Sequence, residues 1–180
     1  MSLDRRRAMT LRRNPAPLVR ALREARSILV LCQGNVIRSA LAGRLLSAAV
    51  EARGDVWVRS AGLDTQTGWR AHRRVIARGE ALNLDLTGHR AAPVTSALVA
   101  AADVVLVMDV LQLVTVTRRF FRARRRTFLL TCLAPDVPME IPDPAGSDDA
   151  TVDACLDHVE RALKPIIGIM TERDTETARS

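Results

Sequence analysis

Ile28-Leu29-Val30-Leu31-Cys32-Gln33-Gly34-Asn35-Val36-Ile37-Arg38-Ser39 is the stretch that decides the fold. An apolar run ends at a cysteine, and a Gly-Asn turn follows. Arg38-Ser39 then opens Ala40-Leu41-Ala42-Gly43-Arg44-Leu45-Leu46, whose apolar positions recur at helical spacing. The reading is strand, loop, helix, with a thiol at the first corner and a guanidinium at the second. A loop that feeds a helix N-terminus aims several backbone N–H groups at one point, and the helix dipole adds partial positive charge there. Such a concavity suits a tetrahedral oxyanion. The same field favours a thiolate over a thiol, and a thiolate facing a bound phosphate is a nucleophile for phosphoryl transfer.

Outward from this point, strands and helices alternate. Strands are expected at 28–32, 56–60, 103–108 and 127–130. Helices are expected at about 38–52, from Arg70 to Ala81, at 96–101 behind Thr95 or Ser96, and from Asp109 to about Arg119. A long helix is expected from Asp149 to Met170. Leu86-Thr87-Gly88-His89 reads as a short extended piece. Asp103 to Met108 is apolar enough to be covered on both faces, as in a parallel sheet. The expectation is an α/β three-layer sandwich: a central, mainly parallel four-stranded sheet, helices on both faces, and a phosphate-binding loop after strand one. That loop would lie at the carboxyl end of its strand, where open α/β sheets bind ligands. Residues 1–26 read as an Arg-rich extension, broken at Asn14-Pro15-Ala16-Pro17 and with a short helix expected from Leu18 to Arg26; 27–170 read as the functional domain, and 171–180 as a polar tail.

Bulk properties narrow the class. The 180 residues allow one domain with a sizeable core, and 48% of them are apolar. No apolar stretch reaches the roughly 20 residues of a membrane span, and the Arg-rich start lacks the apolar core of a secretory signal. Three cysteines, Cys32, Cys132 and Cys155, are too few for a disulfide framework and fit a reducing, cytoplasmic setting. The net charge is +7, with Lys164 the only lysine and no tyrosine at all. Arginines cluster in 1–26 and in Arg118-Arg119-Phe120-Phe121-Arg122-Ala123-Arg124-Arg125-Arg126. Without a nucleic-acid motif beside them, both clusters read as solvated charge rather than a nucleic-acid surface.

The motif Cys-x-Gly-Asn-x-x-Arg-Ser, between a strand and a helix, resembles the signature of the low-molecular-weight protein tyrosine phosphatases, and the likeness runs from residue 27 to about 170. Each loop position has a physical reason. Cys32 is the expected nucleophile. Gly34 lets a backbone N–H approach an anion closely, and Asn35 tolerates positive φ. Arg38 can grip two phosphate oxygens as a planar fork, and Ser39 can hydrogen-bond the thiolate. Gln33, Gly34, Asn35, Val36, Ile37, Arg38 and Ser39 together form the expected phosphate cradle. The chemistry also needs an acid for the leaving group. Asp143, in Ile141-Pro142-Asp143-Pro144, is the candidate; it matches the family's Asp-Pro before the last helix. Asp136, Asp148 and Asp149 compete, with Asp136 the runner-up. The resemblance further implies that Asn35 is held by Ser39, Ser60 and His89, and that neither a metal nor a cofactor takes part. Met108-Asp109 matches a strand end of the family, with Asp109 as a helix cap.

Four departures accompany the match. Ile37 stands where many members carry a second cysteine that protects the first, so Cys32 should over-oxidise unless Cys132 or Cys155 lies close. Ala145-Gly146 replaces the aromatic after Asp-Pro, and Thr65 replaces another aromatic wall. Gly68-Trp69-Arg70 stands for Gly-x-Pro, and Trp69 is a candidate substitute wall. The resemblance implies hydrolysis of phosphotyrosine in proteins through a cysteinyl-phosphate. The expected ligands are phosphate-like oxyanions, and the expected partner is a phosphorylated protein such as a bacterial tyrosine kinase. The alternatives on the same fold are a phosphoarginine phosphatase and an arsenate reductase; a non-catalytic anion-binding module is a third.

Overall fold

A computed structural model describes residues 3–177. Among them, four strands form one sheet: β1 (Ser27–Cys32), β2 (Trp57–Gly62), β3 (Val104–Val107) and β4 (Thr127–Leu129). Their order is β2-β1-β3-β4 and every pairing is parallel, with Val30 opposite Ser60 and Leu106, and Leu106 opposite Phe128. Parallel neighbours need crossovers. These are supplied by α3 (Arg38–Val50) between β1 and β2, α4 (Arg73–Ala81) and α5 (Ser96–Ala101) between β2 and β3, and α6 (Val110–Arg119) between β3 and β4; α7 (Asp149–Thr177) follows the last strand.

The period-two pattern of the strands divides the core. Ile28, Val30, Leu106 and Phe128 face Leu41 and Leu46 of α3 and Leu156, Val159 and Leu163 of α7. Leu29, Leu31, Val105, Val107 and Leu129 face Val99 of α5 and Leu113 and Val116 of α6. Central β1 is buried along its whole length, which is why its sequence is apolar without alternation. The three-layer α/β sandwich expected from the sequence is the observed architecture. Among the described residues no helix is long and apolar enough to cross a membrane.

The N-terminal segment differs from a solvated arm. It forms α1 (Leu3–Arg13) and α2 (Ala16–Glu24), and Leu18 and Leu22 of α2 are fully buried in the layer that contains α7. The anchoring of α1 uses its arginines: Arg12 donates to the carbonyls of Ala134 and Pro135 at 3.0 Å, and Arg7 to that of Thr127 at 3.3 Å. At the other end α7 continues past Met170 to Thr177, and residues 178–180 lie outside the described residues. The Leu86–His89 segment is a turn, not an extended piece. Asp85 accepts hydrogen bonds from the Thr87 amide at 2.8 Å and its hydroxyl at 2.6 Å, a local pairing that competes with strand formation.

Candidate active site

β1 delivers Cys32 to the carboxyl edge of the sheet, 2% exposed, and the chain turns at once. The turn is closed around sulfur: the Asn35 amide donates to Cys32 Sγ at 3.3 Å, and Ser39 Oγ shares a hydrogen bond with it at 2.9 Å. Asn35 adopts φ 53°, the left-handed conformation that asparagine tolerates best after glycine. At Gly34 a Cβ would meet nothing closer than Val36 Cγ2 at 3.5 Å, so the protein itself leaves that side of the loop open. At Gly62 a Cβ would sit 2.9 Å from the Gln33 carbonyl oxygen and 2.7 Å from Thr65 Cγ2; only glycine lets the end of β2 pass so close to the loop. Thr65 itself donates its hydroxyl to the Gly34 carbonyl at 2.8 Å.

The fully buried side chain of Asn35 ties the loop to three elements. Its Nδ2 donates to Ser39 Oγ at 2.9 Å and to Ser60 Oγ at 3.0 Å, and its Oδ1 accepts from the Ala92 amide at 3.1 Å. His89 Nε2 lies 2.7 Å from the Asn35 carbonyl oxygen. The sequence-predicted support set Ser39, Ser60 and His89 is thus gathered on one residue.

Arg38, 1% exposed, begins α3. Its Nη1 donates to the Ile141 carbonyl at 2.9 Å and lies 3.3 Å from Asp109 Oδ2, and its Nη2 is ion-paired with Asp143. Its buried Nε has no partner among the described residues. Ile37, ahead of α3, has no polar side chain, and no described side chain caps the helix, so the first amides of α3 point into the loop uncapped. By contrast Thr95 caps α5 through the Leu98 amide at 3.1 Å, and Asp109 caps α6 through the Gln112 amide at 2.8 Å.

The competing acids are placed elsewhere. Asp136 is two-thirds exposed and paired with Arg161 at 2.8 Å. Asp148 receives the Thr151 amide at 2.8 Å, and Asp149 pairs with Arg73. Asp143 alone of the four meets Arg38, and the Ala145 amide at 3.2 Å steadies its other oxygen. Trp69 is half exposed, with its carbonyl accepting from Ala91 at 2.7 Å.

Two features escaped the sequence reading. Asp109 is more than a cap, because the same carboxylate faces Arg38. Gln112, 3% exposed, clamps it: Nε2 donates to Asp109 Oδ2 at 2.8 Å while Oε1 accepts from the Met108 amide at 3.0 Å. A glutamine three residues beyond a capping aspartate was the available signal. Of the other cysteines, Cys132 donates to the Leu11 carbonyl at 3.3 Å, and burial pushes its thiol up to about 11. Cys155 on α7 lies within electrostatic reach of Arg38, Asp143 and Cys32; burial pushes it up to about 12, against the pull of Arg38. Cys155 is therefore the candidate neighbour of Cys32.

Comparisons with known proteins agree with this geometry. The probable low molecular weight protein-tyrosine-phosphatase EpsP of Ralstonia nicotianae is 37% identical over 84 residues, 47% of this chain and 56% of that protein. The chain thus matches little more than half the length of that relative. Among solved structures, the tyrosine phosphatase Wzb of Escherichia coli in complex with sulphate superposes with a TM-score of 0.73 at 33% identity, covering 80% of this chain and 97% of that one. The YwlE arginine phosphatase of Geobacillus stearothermophilus superposes with a TM-score of 0.70 at 26% identity, covering 85% and 96%. Residues 27–176 match the family model described as low molecular weight phosphotyrosine protein phosphatase, and the chain belongs to that family.

Proposed function

We propose that the protein is a cysteine-dependent phosphatase acting on phosphotyrosine in proteins. The observation that carries this is the convergence of Cys32 Sγ, the uncapped start of α3 and the Arg38–Asp143 pair on one loop. The Cys32 thiolate attacks phosphorus in line. The S–P bond forms as the P–O bond to tyrosine breaks, and Asp143 gives its proton to the departing oxygen. The amides of residues 33–39 and the Arg38 fork, including its unpartnered Nε, hold the three equatorial oxygens. The incoming dianion takes over Arg38 from Asp143, and the freed carboxylate takes up a proton from solvent, which is the proton that the departing oxygen receives. Asp143 then removes a proton from water. The water oxygen bonds to phosphorus, the S–P bond breaks, and Ser39 stabilises the leaving thiolate.

The reading extends to a phosphorylated bacterial tyrosine kinase as substrate and to the cytoplasm as its setting. A second reading, phosphoarginine hydrolysis, is favoured by Ala145-Gly146, which offers no ring to a flat phenyl group. The test is turnover of phosphotyrosine, phosphoarginine and phosphoserine peptides by the parent, Cys32→Ser and Asp143→Ala. Cys32→Ser should be inactive. Asp143→Ala should lose about 10²- to 10⁴-fold on phosphotyrosine peptide, and less on p-nitrophenyl phosphate, whose leaving group needs little protonation. Should Asp136→Ala behave this way instead, the acid is misassigned. If phosphoarginine is the better substrate, the second reading replaces the first.

A further inference from the structure

Some arginines of this protein are matched to carboxylates and others are not. Arg26, Arg53, Arg73, Arg74, Arg78 and Arg161 each pair with an aspartate or glutamate. Arg118, Arg119, Arg122, Arg124 and Arg125 are exposed, and among the described residues no carboxylate pairs with any of them. They occupy the end of α6 and the 3-10 turn Phe121–Arg126 that leads into β4. α1, the second basic segment, docks beside them, with Arg7 donating to the Arg124 carbonyl. Arg7 and the 118–126 cluster, more than a hundred residues apart in sequence, thus share one face. Charge left uncompensated on one face attracts an anionic partner.

Hydrocarbon accompanies the charge. Phe121 projects from the turn, 74% exposed. On one side it walls a basic hollow of about 500 Å³ with Arg7, Arg122, Arg124 and Arg125. On the other it walls an apolar hollow of about 420 Å³ with Val99, Ala100, Phe120 and Ala123. Phe121 and Arg122 line both. An anionic headgroup carried beside acyl chains is the chemistry of a phospholipid. A nucleic acid would present phosphate and flat bases, with no use for an apolar recess beside a single projecting ring.

We propose that this face docks on an anionic phospholipid bilayer, with the arginines at the headgroups and Phe121 entering the acyl boundary. The turn precedes the first residue of β4, whereas Cys32 ends β1, and all strands run parallel. The six residues of β1 therefore separate the two sites by roughly 20 Å at ~3.3 Å each. A protein resting on this face directs its catalytic loop away from the surface, toward phosphoproteins in solution.

Sedimentation of the full chain with extruded vesicles tests this, using phosphatidylcholine alone or mixed with phosphatidylglycerol. Binding should require phosphatidylglycerol and weaken as salt rises. The triple variant Arg122→Glu/Arg124→Glu/Arg125→Glu should bind on the order of a hundredfold more weakly, from roughly fivefold per guanidinium removed. Phe121→Ser should lose the part of binding that survives high salt. Both variants should hydrolyse p-nitrophenyl phosphate normally, which shows that they fold. At constant ionic strength, binding should persist in Cys32→Ser and in saturating inorganic phosphate, because the catalytic loop is not the lipid site. The proposal is overturned by equal binding to both vesicle types, by a triple variant that binds like the parent, or by competition from inorganic phosphate at that same ionic strength. It is equally overturned if duplex DNA is retained under conditions where anionic vesicles are not.

Discussion

Asn35→Ala is the most informative single substitution, because it separates the scaffold of the loop from its chemistry. Asn35 is fully buried and touches no expected leaving group, yet it holds Ser39, Ser60 and the Ala92 amide at 2.9, 3.0 and 3.1 Å. Alanine removes the two donated bonds, at about 1 kcal/mol each. It also leaves the part-buried Ala92 amide without its acceptor, at about 1–3 kcal/mol. Alanine at φ 53° adds roughly 1 kcal/mol of backbone strain that asparagine largely avoids. The expected loss is about 4–6 kcal/mol in equilibrium urea unfolding. Turnover of phosphotyrosine peptide should fall by about a hundredfold, the scale expected for a cradle displaced by an ångström. Asn35→Asp keeps the acceptor for Ala92 but buries a carboxylate among hydroxyl and amide groups beside Cys32, so it should cost at least as much stability as alanine and more activity. An Asn35→Ala protein within about 1 kcal/mol of the parent and with normal turnover would show that the network is incidental.

Two further outcomes follow from the geometry. Leu22→Ala should cost about 2–5 kcal/mol in urea or thermal unfolding, because Leu22 is fully buried beneath α7; a change under about 0.5 kcal/mol would restore the view of residues 1–26 as a loose arm. Stability should also fall in acid. Arg53 holds Asp55 below the usual carboxylate range, as Arg161 does Asp136 and the Thr87 hydroxyl does Asp85. Burial pushes Asp103 up, but the Ser27 hydroxyl and the amides of Arg26 and Ser27 outweigh it. With lowered folded values, the unfolded chain binds more protons near pH ~4, so stability is intact above that region and declines as pH falls through it. A urea midpoint unchanged between neutral pH and about 3 would contradict these pairings.

The sequence made the phosphate loop legible because local rules act there without competition. An apolar run, a Gly-Asn turn and an Arg-Ser helix start agree with one another, and each is decided within a few residues. The caps Thr95 and Asp109 were readable for the same reason. Of the N-terminal helices, the short one from Leu18 was readable as α2, whereas α1 and the docking of both were not. Arg7 and Arg12 read as solvated charge, whereas their partners are backbone carbonyls more than a hundred residues away, which no composition reports. Gln112 was hidden likewise: a glutamine on a helix reads as surface, and only its contact with Asp109 shows that it braces the carboxylate facing Arg38. Asp143 over Asp136 was a choice between two stiff Asp-Pro-type loops. The fold brings one of these loops, not the other, against the start of α3.

The bare first turn of α3 has a practical corollary. A helix start without a side-chain partner forgoes about 1 kcal/mol, and any tetrahedral anion that seats there supplies the missing acceptor. Occupancy and resistance to heat are then linked: at a hundred times its dissociation constant, such an ion adds about 2.7 kcal/mol. Melting curves recorded in phosphate or sulfate buffers would report the ion's affinity together with the polypeptide's own endurance. Variants of the loop would then look fragile merely for binding the buffer less well.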